Sequence, residues 1–182
     1  MSRLSERLLA VHAALDQARF PHAFGGAIAY GYCAEEPRGT RDIDVNVFVD
    51  SDKADPVLDA LPREVTVTTA DREVVHRDGQ VRLYWDDTPV DLFFDTHDFH
   101  REIAGEVTQV SFEAATIPVL GCEALVVFKA MFNRTRDWAD IEAILDARTI
   151  DCLRVLERLQ ALLGADDEAV VRLGTLCGGG KR

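Results

Sequence analysis

In "GTRDIDVNVFVD", residues 39–50, apolar and polar positions alternate. Ile43, Val45, Val47 and Val49 face one way in an extended chain, and Asp42, Asp44, Asn46 and Phe48 face the other. The pattern predicts a strand with one core face and one face carrying two carboxylates. A second run, "PVDLFFD", repeats it, with Val90, Leu92 and Phe94 opposed by Asp91, Phe93 and Asp95. The segments "EVTVTT", "REVVHR" and "QVRLYW" alternate or are β-rich and are expected as further strands, with Asp78-Gly79 turning a hairpin between the last two. Helical spacing governs Leu4, Leu8, Val11 and Leu15, an opening helix ended by Phe20-Pro21. "AIAYGYC", after Gly25-Gly26, predicts a second helix, and "DKADPVLDALP" one or two helical turns. Beyond "EVTQVSFEAATIPVL" the period becomes helical over 123–133, 137–147, 151–163 and 166–173. The expected fold is α/β (α+β): a mixed β-sheet core flanked by helices over 1–120, a helical segment over 121–175 packed on it, and a flexible tail over 176–182.

Composition narrows the classes. An apolar share of 47% in 182 residues suffices for a packed interior. No run of about 18 apolar residues occurs and the N-terminus is amphipathic, so a soluble, cytoplasmic chain without membrane contact is expected. Cys33, Cys122, Cys152 and Cys177 form no CxxC pair, which predicts reduced, mostly buried thiols. The net charge of −12 is uneven: residues 1–120 hold 22 acidic against 11 basic side chains, residues 121–182 hold 10 against 9. Such a surface opposes a long nucleic-acid groove unless cations intervene, but admits a small acceptor or a docked nucleic-acid end.

The acidity centres on the paired aspartates. At roughly 4 Å and an effective dielectric of about 20, two carboxylates repel by about 4 kcal/mol, so a positive group is expected between Asp42 and Asp44. Gly25-Gly26 stands where a strand enters a helix, and glycines there let a backbone approach phosphates while helix amides donate to them. A phosphate-type turn, a same-face DxD and Asp91 on a later strand would together organise a metal-bound nucleoside triphosphate (NTP). Thr40 and Arg38 share the face of Asp42 in an extended chain; either could touch phosphate, and Thr40 could equally satisfy a turn. Lys129, with Leu125 and Phe132 as its helical neighbours, lies beside an apolar stripe, where its stem can cover apolar surface while its head reaches water. Arg136 and Asp140 read as an i,i+4 surface pair. His97 and His100 have a metal spacing without companion ligands and are expected at the surface, and Tyr30 and Tyr32 face a base or pack.

Together "FGGAIAYGY" (24–32), "RGTRDIDVNVFV" (38–49), "TPVDLFF" (88–94) and "IPVLGCEALVVFKAMFNRTRDWADIEAIL" (117–145) resemble the nucleotidyltransferase superfamily related to DNA polymerase β. The last segment is similar to the helices of small prokaryotic members, including the AbiEii and MenT toxin-type group. That resemblance implies Asp42, Asp44 and Asp91 as a metal-binding catalytic triad for Mg2+ or Mn2+, and Gly25, Gly26, Thr40 and Lys129 on the nucleotide, with ATP or another NTP as substrate. Asp95, Asp137 and Asp140 are left open. The expected reaction transfers a nucleoside monophosphate to an acceptor hydroxyl: a tRNA end, as in toxin-type relatives, which would also imply a cognate antitoxin, or else a protein or an antibiotic-like small molecule. A DxD glycosyltransferase and a nucleotide-binding module without catalysis are the competing readings; Gly25-Gly26 upstream and Asp91 count against the first, the intact triad against the second.

Overall fold

A computed structural model describes residues 2–179. The chain divides into two compact units, Met1–Ile28 with Gly39–Leu120, and Ala29–Arg38 with Gly121–Arg182. Residues 29–38 thus group with the C-terminal helices.

The first unit holds a seven-stranded mixed sheet. It opens with α1 (Arg3–Gln17), capped by the Ser2 side chain accepting from the Ser5 amide, with Leu8, Val11 and Leu15 fully buried. The strands are β1 (His22–Phe24), β2 (Ile43–Asp50), β3 (Val65–Thr66), β4 (Gln80–Trp85), β5 (Thr88–Asp95), β6 (Thr108–Phe112) and β7 (Ala115–Val119). Their order across the sheet is β3-β4-β5-β2-β1-β7-β6. β2 runs parallel to β5 and β1 to β7, and the other neighbours are antiparallel. Alternation sets the faces as expected: Ile43, Val45, Val47, Val81, Leu83, Val90, Leu92 and Phe94 are all buried. Helix α2 (Gly26–Cys33) follows β1, α3 (Asp55–Ala60) lies between β2 and β3, and α5 (Asp98–Ile103) follows β5.

Three expectations fail between Val65 and Gly79. "EVTVTT" contributes only the two residues of β3, and "REVVHR" belongs to a helix, α4 (Thr69–Asp78). End chemistry outweighs the β-branched valines. The Thr68 side chain accepts from the Asp71 amide while Asp71 accepts from the Thr68 amide, a reciprocal cap, and Arg72 pairs with Asp55 and Asp59. Gly79 is therefore not a hairpin residue. At φ 68° its amide donates to the Val75 carbonyl and ends the helix. The hairpin turns instead at Asp86-Asp87, with Trp85 opposite Thr88. Buried Arg7 of α1 holds this turn through Asp86, Asp87 and Thr88, its guanidinium 5.6 Å from the Trp85 ring centroid.

The second unit contains α6 (Cys122–Phe132), α7 (Thr135–Ala147), α8 (Cys152–Leu163) and α9 (Glu168–Gly179). Trp138 is its largest buried side chain, its indole N–H donating to Asn133 Oδ1 at 2.6 Å and its ring covered by Arg172. The cysteines are not free thiols: Cys33 bonds Cys122 and Cys152 bonds Cys177. Sequence separations of 89 and 25 residues hid the pairs, and the fold closes them to Cα–Cα distances of 5.3 and 5.9 Å, within disulfide range. The second bond ties down the end of α9, so residues 176–179 of the expected tail are helical; 180–182 lie outside the described residues. No described helix is long and apolar enough to cross a membrane.

Candidate active site

The sheet gathers the polar positions of three adjacent strands into one row. Asp44 of β2 stands in register with Asp91 of β5, and Asp91 stands opposite Arg82 of β4. Asp42, two residues before Asp44, shares its face. Thr40 fixes the entry to β2: its hydroxyl accepts from the Asp42 amide at 3.2 Å, so the turn alternative is realised. Asp91 is only 8% exposed.

The positive group expected between Asp42 and Asp44 is displaced along the row: Arg82 stands on Asp91. Its Nε and Nη2 donate to the two oxygens of Asp91, both at 2.7 Å, and Nη2 also lies 3.8 Å from Asp42 Oδ2. The fork matches the carboxylate plane and adds geometric specificity to the charge. Asp91, then Asp42, pushes the ionisation of Arg82 above its ordinary range.

The Gly25-Gly26 turn presses against the same row. The Gly25 amide donates to the Asp44 carbonyl at 2.9 Å. A Cβ on Gly25 would stand 2.9 Å from Asn46 Nδ2 and 3.3 Å from Leu120 Cδ1. Gly26 has φ 51°, and a Cβ there would lie 2.5 Å from Asp44 Cγ and closer still to Oδ2. Only glycine lets the first turn of α2 approach Asp44 this closely.

Three carboxylates on one sheet face are the oxygen donors a hard divalent cation takes. In chemistry and in row, Asp42, Asp44 and Asp91 fit such an ion. As drawn together here they do not close on one point: among the described residues no three His, Cys, Asp or Glu side chains are grouped to hold a metal. The Asp91 carboxylate is turned to Arg82 instead. Asp95, buried at the far end of β5, pairs with Arg101 of α5 at 3.1 Å. His97 is exposed, but His100 is not: it is 5% exposed, with Nδ1 2.8 Å from the Phe94 carbonyl. Helix α5, unmarked by any long apolar period, turns it inward, and burial lowers its pKa.

Lys129 belongs to the second unit and is 6% exposed. Its Nζ lies 2.6 Å from Asp140 Oδ2 and 3.8 Å from Asp137 Oδ1. Both aspartates are buried, so the expected Arg136–Asp140 surface pair gives way to an interior network. Arg38 donates to Asp140 Oδ1 at 2.9 Å and stacks on Tyr30, and Arg134 grips Asp137 at 2.6 Å. Sequence spacing missed Arg82, Arg38 and this network. The cue for Arg82 was its place on the polar face of "QVRLYW"; for the network, the i,i+3 spacing of Asp137 and Asp140, which puts both on one helix face.

No protein-family model matches the chain, nor does any curated protein. Solved structures do. The solution structure of the antibiotic-resistance factor ANT(2'')-Ia aligns with a TM-score of 0.63 at 12% identity, over 94% of this chain and 97% of that one. ANT(2'')-Ia in complex with adenylyl-2''-tobramycin gives 0.63 at 14%, over 88% and 97%. The lincosamide antibiotic adenylyltransferase LnuA, lincomycin-bound, gives 0.53 at 13%, over 76% and 94%. At such identities the likeness defines the fold: this chain has a nucleotidyltransferase fold, the architecture its sequence resembles. The toxin-type subgroup is not among these three.

Proposed function

We propose that the chain is a divalent-metal-dependent nucleotidyltransferase that moves a nucleoside monophosphate from an NTP to a hydroxyl of a small-molecule acceptor. The observation that carries this reading is the register of Asp44 with Asp91 on adjacent strands, with Asp42 on the same face and a glycine turn set against Asp44. Asp42 and Asp44 would hold the cation, Asp91 completing its ligands. When bound, the cation would supply charge stabilisation to the entering and leaving oxygens of an in-line displacement.

The chain's own groups account for the rest. Gly25 and Gly26 let the start of α2 close on Asp44, so that its amides without intrahelical partners would donate to phosphates held beside the cation. Asp91, mostly buried between β2 and β4, is the base that would take the acceptor's proton as its oxygen bonds the α-phosphorus and pyrophosphate departs. Thr40 steadies Asp42 rather than meeting the nucleotide. Lys129, whose charge is met by Asp140 and Asp137, holds the helices of its own unit. A net charge of −12 favours a neutral or cationic acceptor over a polyanion, and the structural neighbours hold small molecules, adenylyl-2''-tobramycin and lincomycin.

The test is incubation with each labelled NTP and with small-molecule, RNA and protein pools, with and without Mg2+. Labelled small-molecule product that requires the metal, and is abolished by Asp44→Asn in a folded protein, is expected. Product on RNA or protein would replace the acceptor assignment; transfer that persists without divalent metal, or in Asp44→Asn, would overturn the mechanism.

A further inference from the structure

We propose that Arg82 is the resident counter-ion of the carboxylate row and exchanges with the divalent cation on Asp91, so that metal and guanidinium exclude one another there. This inference rests on the metal-dependent reading above. Its first support is stoichiometric: the two Arg82 nitrogens take both oxygens of Asp91 along the edge at which a cation would be chelated. Its second is charge. With Nη2 also 3.8 Å from Asp42 Oδ2, the guanidinium touches two of the three proposed ligands, and a doubly charged cation at those oxygens would meet a fixed positive group at close range. Third, the two partners differ in freedom. The Asp91 side chain is 11% exposed and the Arg82 side chain 53%, so Arg82 is the partner able to swing into solvent while β5 keeps its carboxylate in place. Fourth, the hairpin closed by Asp86-Asp87 fixes Arg82 opposite Asp91, so the guanidinium returns whenever the cation leaves.

The exchange gives Arg82 two positions. Without metal it neutralises Asp91 and offsets part of the negative charge of the row. Displaced, it remains tethered to β4 beside the site, a free fork suited to phosphate oxygens. Metal and nucleotide therefore assist one another: the metal releases the arginine, and the nucleotide's phosphates give it a new partner.

Calorimetric titration of Mn2+ alone into wild type, Arg82→Gln, Arg82→Lys and Asp44→Asn reads the exchange without turnover, with circular dichroism confirming the fold of each. Arg82→Gln should bind Mn2+ at least about tenfold more tightly than wild type, and Arg82→Lys, which keeps the charge but not the fork, should fall between. In the presence of Mn2+, Arg82→Gln should bind a non-hydrolysable NTP analogue more weakly than wild type. Equal or weaker Mn2+ binding in a folded Arg82→Gln, while wild type binds and Asp44→Asn does not, would overturn the exchange and leave the metal reading standing. No Mn2+ binding by any form, or full binding by Asp44→Asn, would overturn both.

Discussion

Replacing Gly26 by alanine strains the backbone and displaces a proposed metal ligand at once. At φ 51° an L-residue pays about 1–2 kcal/mol for the left-handed conformation. The new methyl would overlap the Asp44 carboxylate, and driving that side chain off its rotamer costs about 0.5–1.5 kcal/mol more. A total of about 1.5–3.5 kcal/mol in a chain of this length corresponds to a midpoint lowered by about 3–14 °C. Activity should suffer out of proportion, because a ligand shifted by about 1 Å can cost about a hundredfold in rate. Gly79→Ala is the matched control. Its φ is 68° and its methyl overlaps the Thr96 side chain instead of a carboxylate of the row, so it should lose a similar amount of stability, about 1.5–3.5 kcal/mol, and leave the rate of transfer unchanged. Urea denaturation and single-turnover transfer, measured on both variants, separate the two effects. If Gly26→Ala transfers at the wild-type rate, as Gly79→Ala should, the glycine turn does not position Asp44 and the reasoning fails.

Two further outcomes follow from buried groups. Lys129→Ala leaves Asp140 and Asp137 with Arg38 and Arg134 as their remaining cations and should cost about 1.5–3 kcal/mol in urea denaturation; a loss below about 1 kcal/mol would show that the network contributes little. His22 and His100 are both held below the ordinary imidazole value near 6.5, chiefly by burial. Above that value neither folded nor unfolded chain is protonated at these sites and their contribution is complete. As pH falls below it the unfolded chain takes protons first, so stability should drop on acidification below about pH 6.5, by at most about 1.4 kcal/mol per unit for each group. His100→Asn should flatten that slope in a chemical-denaturation series, and a wild type that gains stability on acidification would contradict the assignment.

The strands that carry the aspartates were legible because each alternates cleanly against a buried face. Ile43, Val45 and Val47 needed no tertiary knowledge to place Asp44 opposite them. Helices α1, α6, α7 and α8 were legible for the same reason at the other period. The segment 65–79 hides its helix because valines at 74 and 75 favour strand, whereas the decisive Thr68–Asp71 cap and the Gly79 stop lie outside the apolar pattern. That concealment had a chemical cost. With the turn placed at Asp78-Gly79 the register of "QVRLYW" against "PVDLFFD" was unavailable; with it at Asp86-Asp87, pairing Trp85 with Thr88, counting three residues back along each strand brings Arg82 to Asp91. The disulfides and the Arg38–Asp140 pair depend on long-range closure that no local period encodes.

The Cys33–Cys122 bond makes the chain a ring with two tails. Every strand from β2 to β7 lies on the ring. A protease that cuts once between residues 34 and 121 opens the ring without releasing a fragment, so the clipped protein keeps its mass and travels as one band until a reductant is added. For the same reason the unfolded chain does not explore the full space of a linear polymer: the loop-closure entropy removed by an 89-residue link is worth about 4–5 kcal/mol. The carboxylate row and its arginine are built on strands whose two ends are covalently tethered outside the sheet.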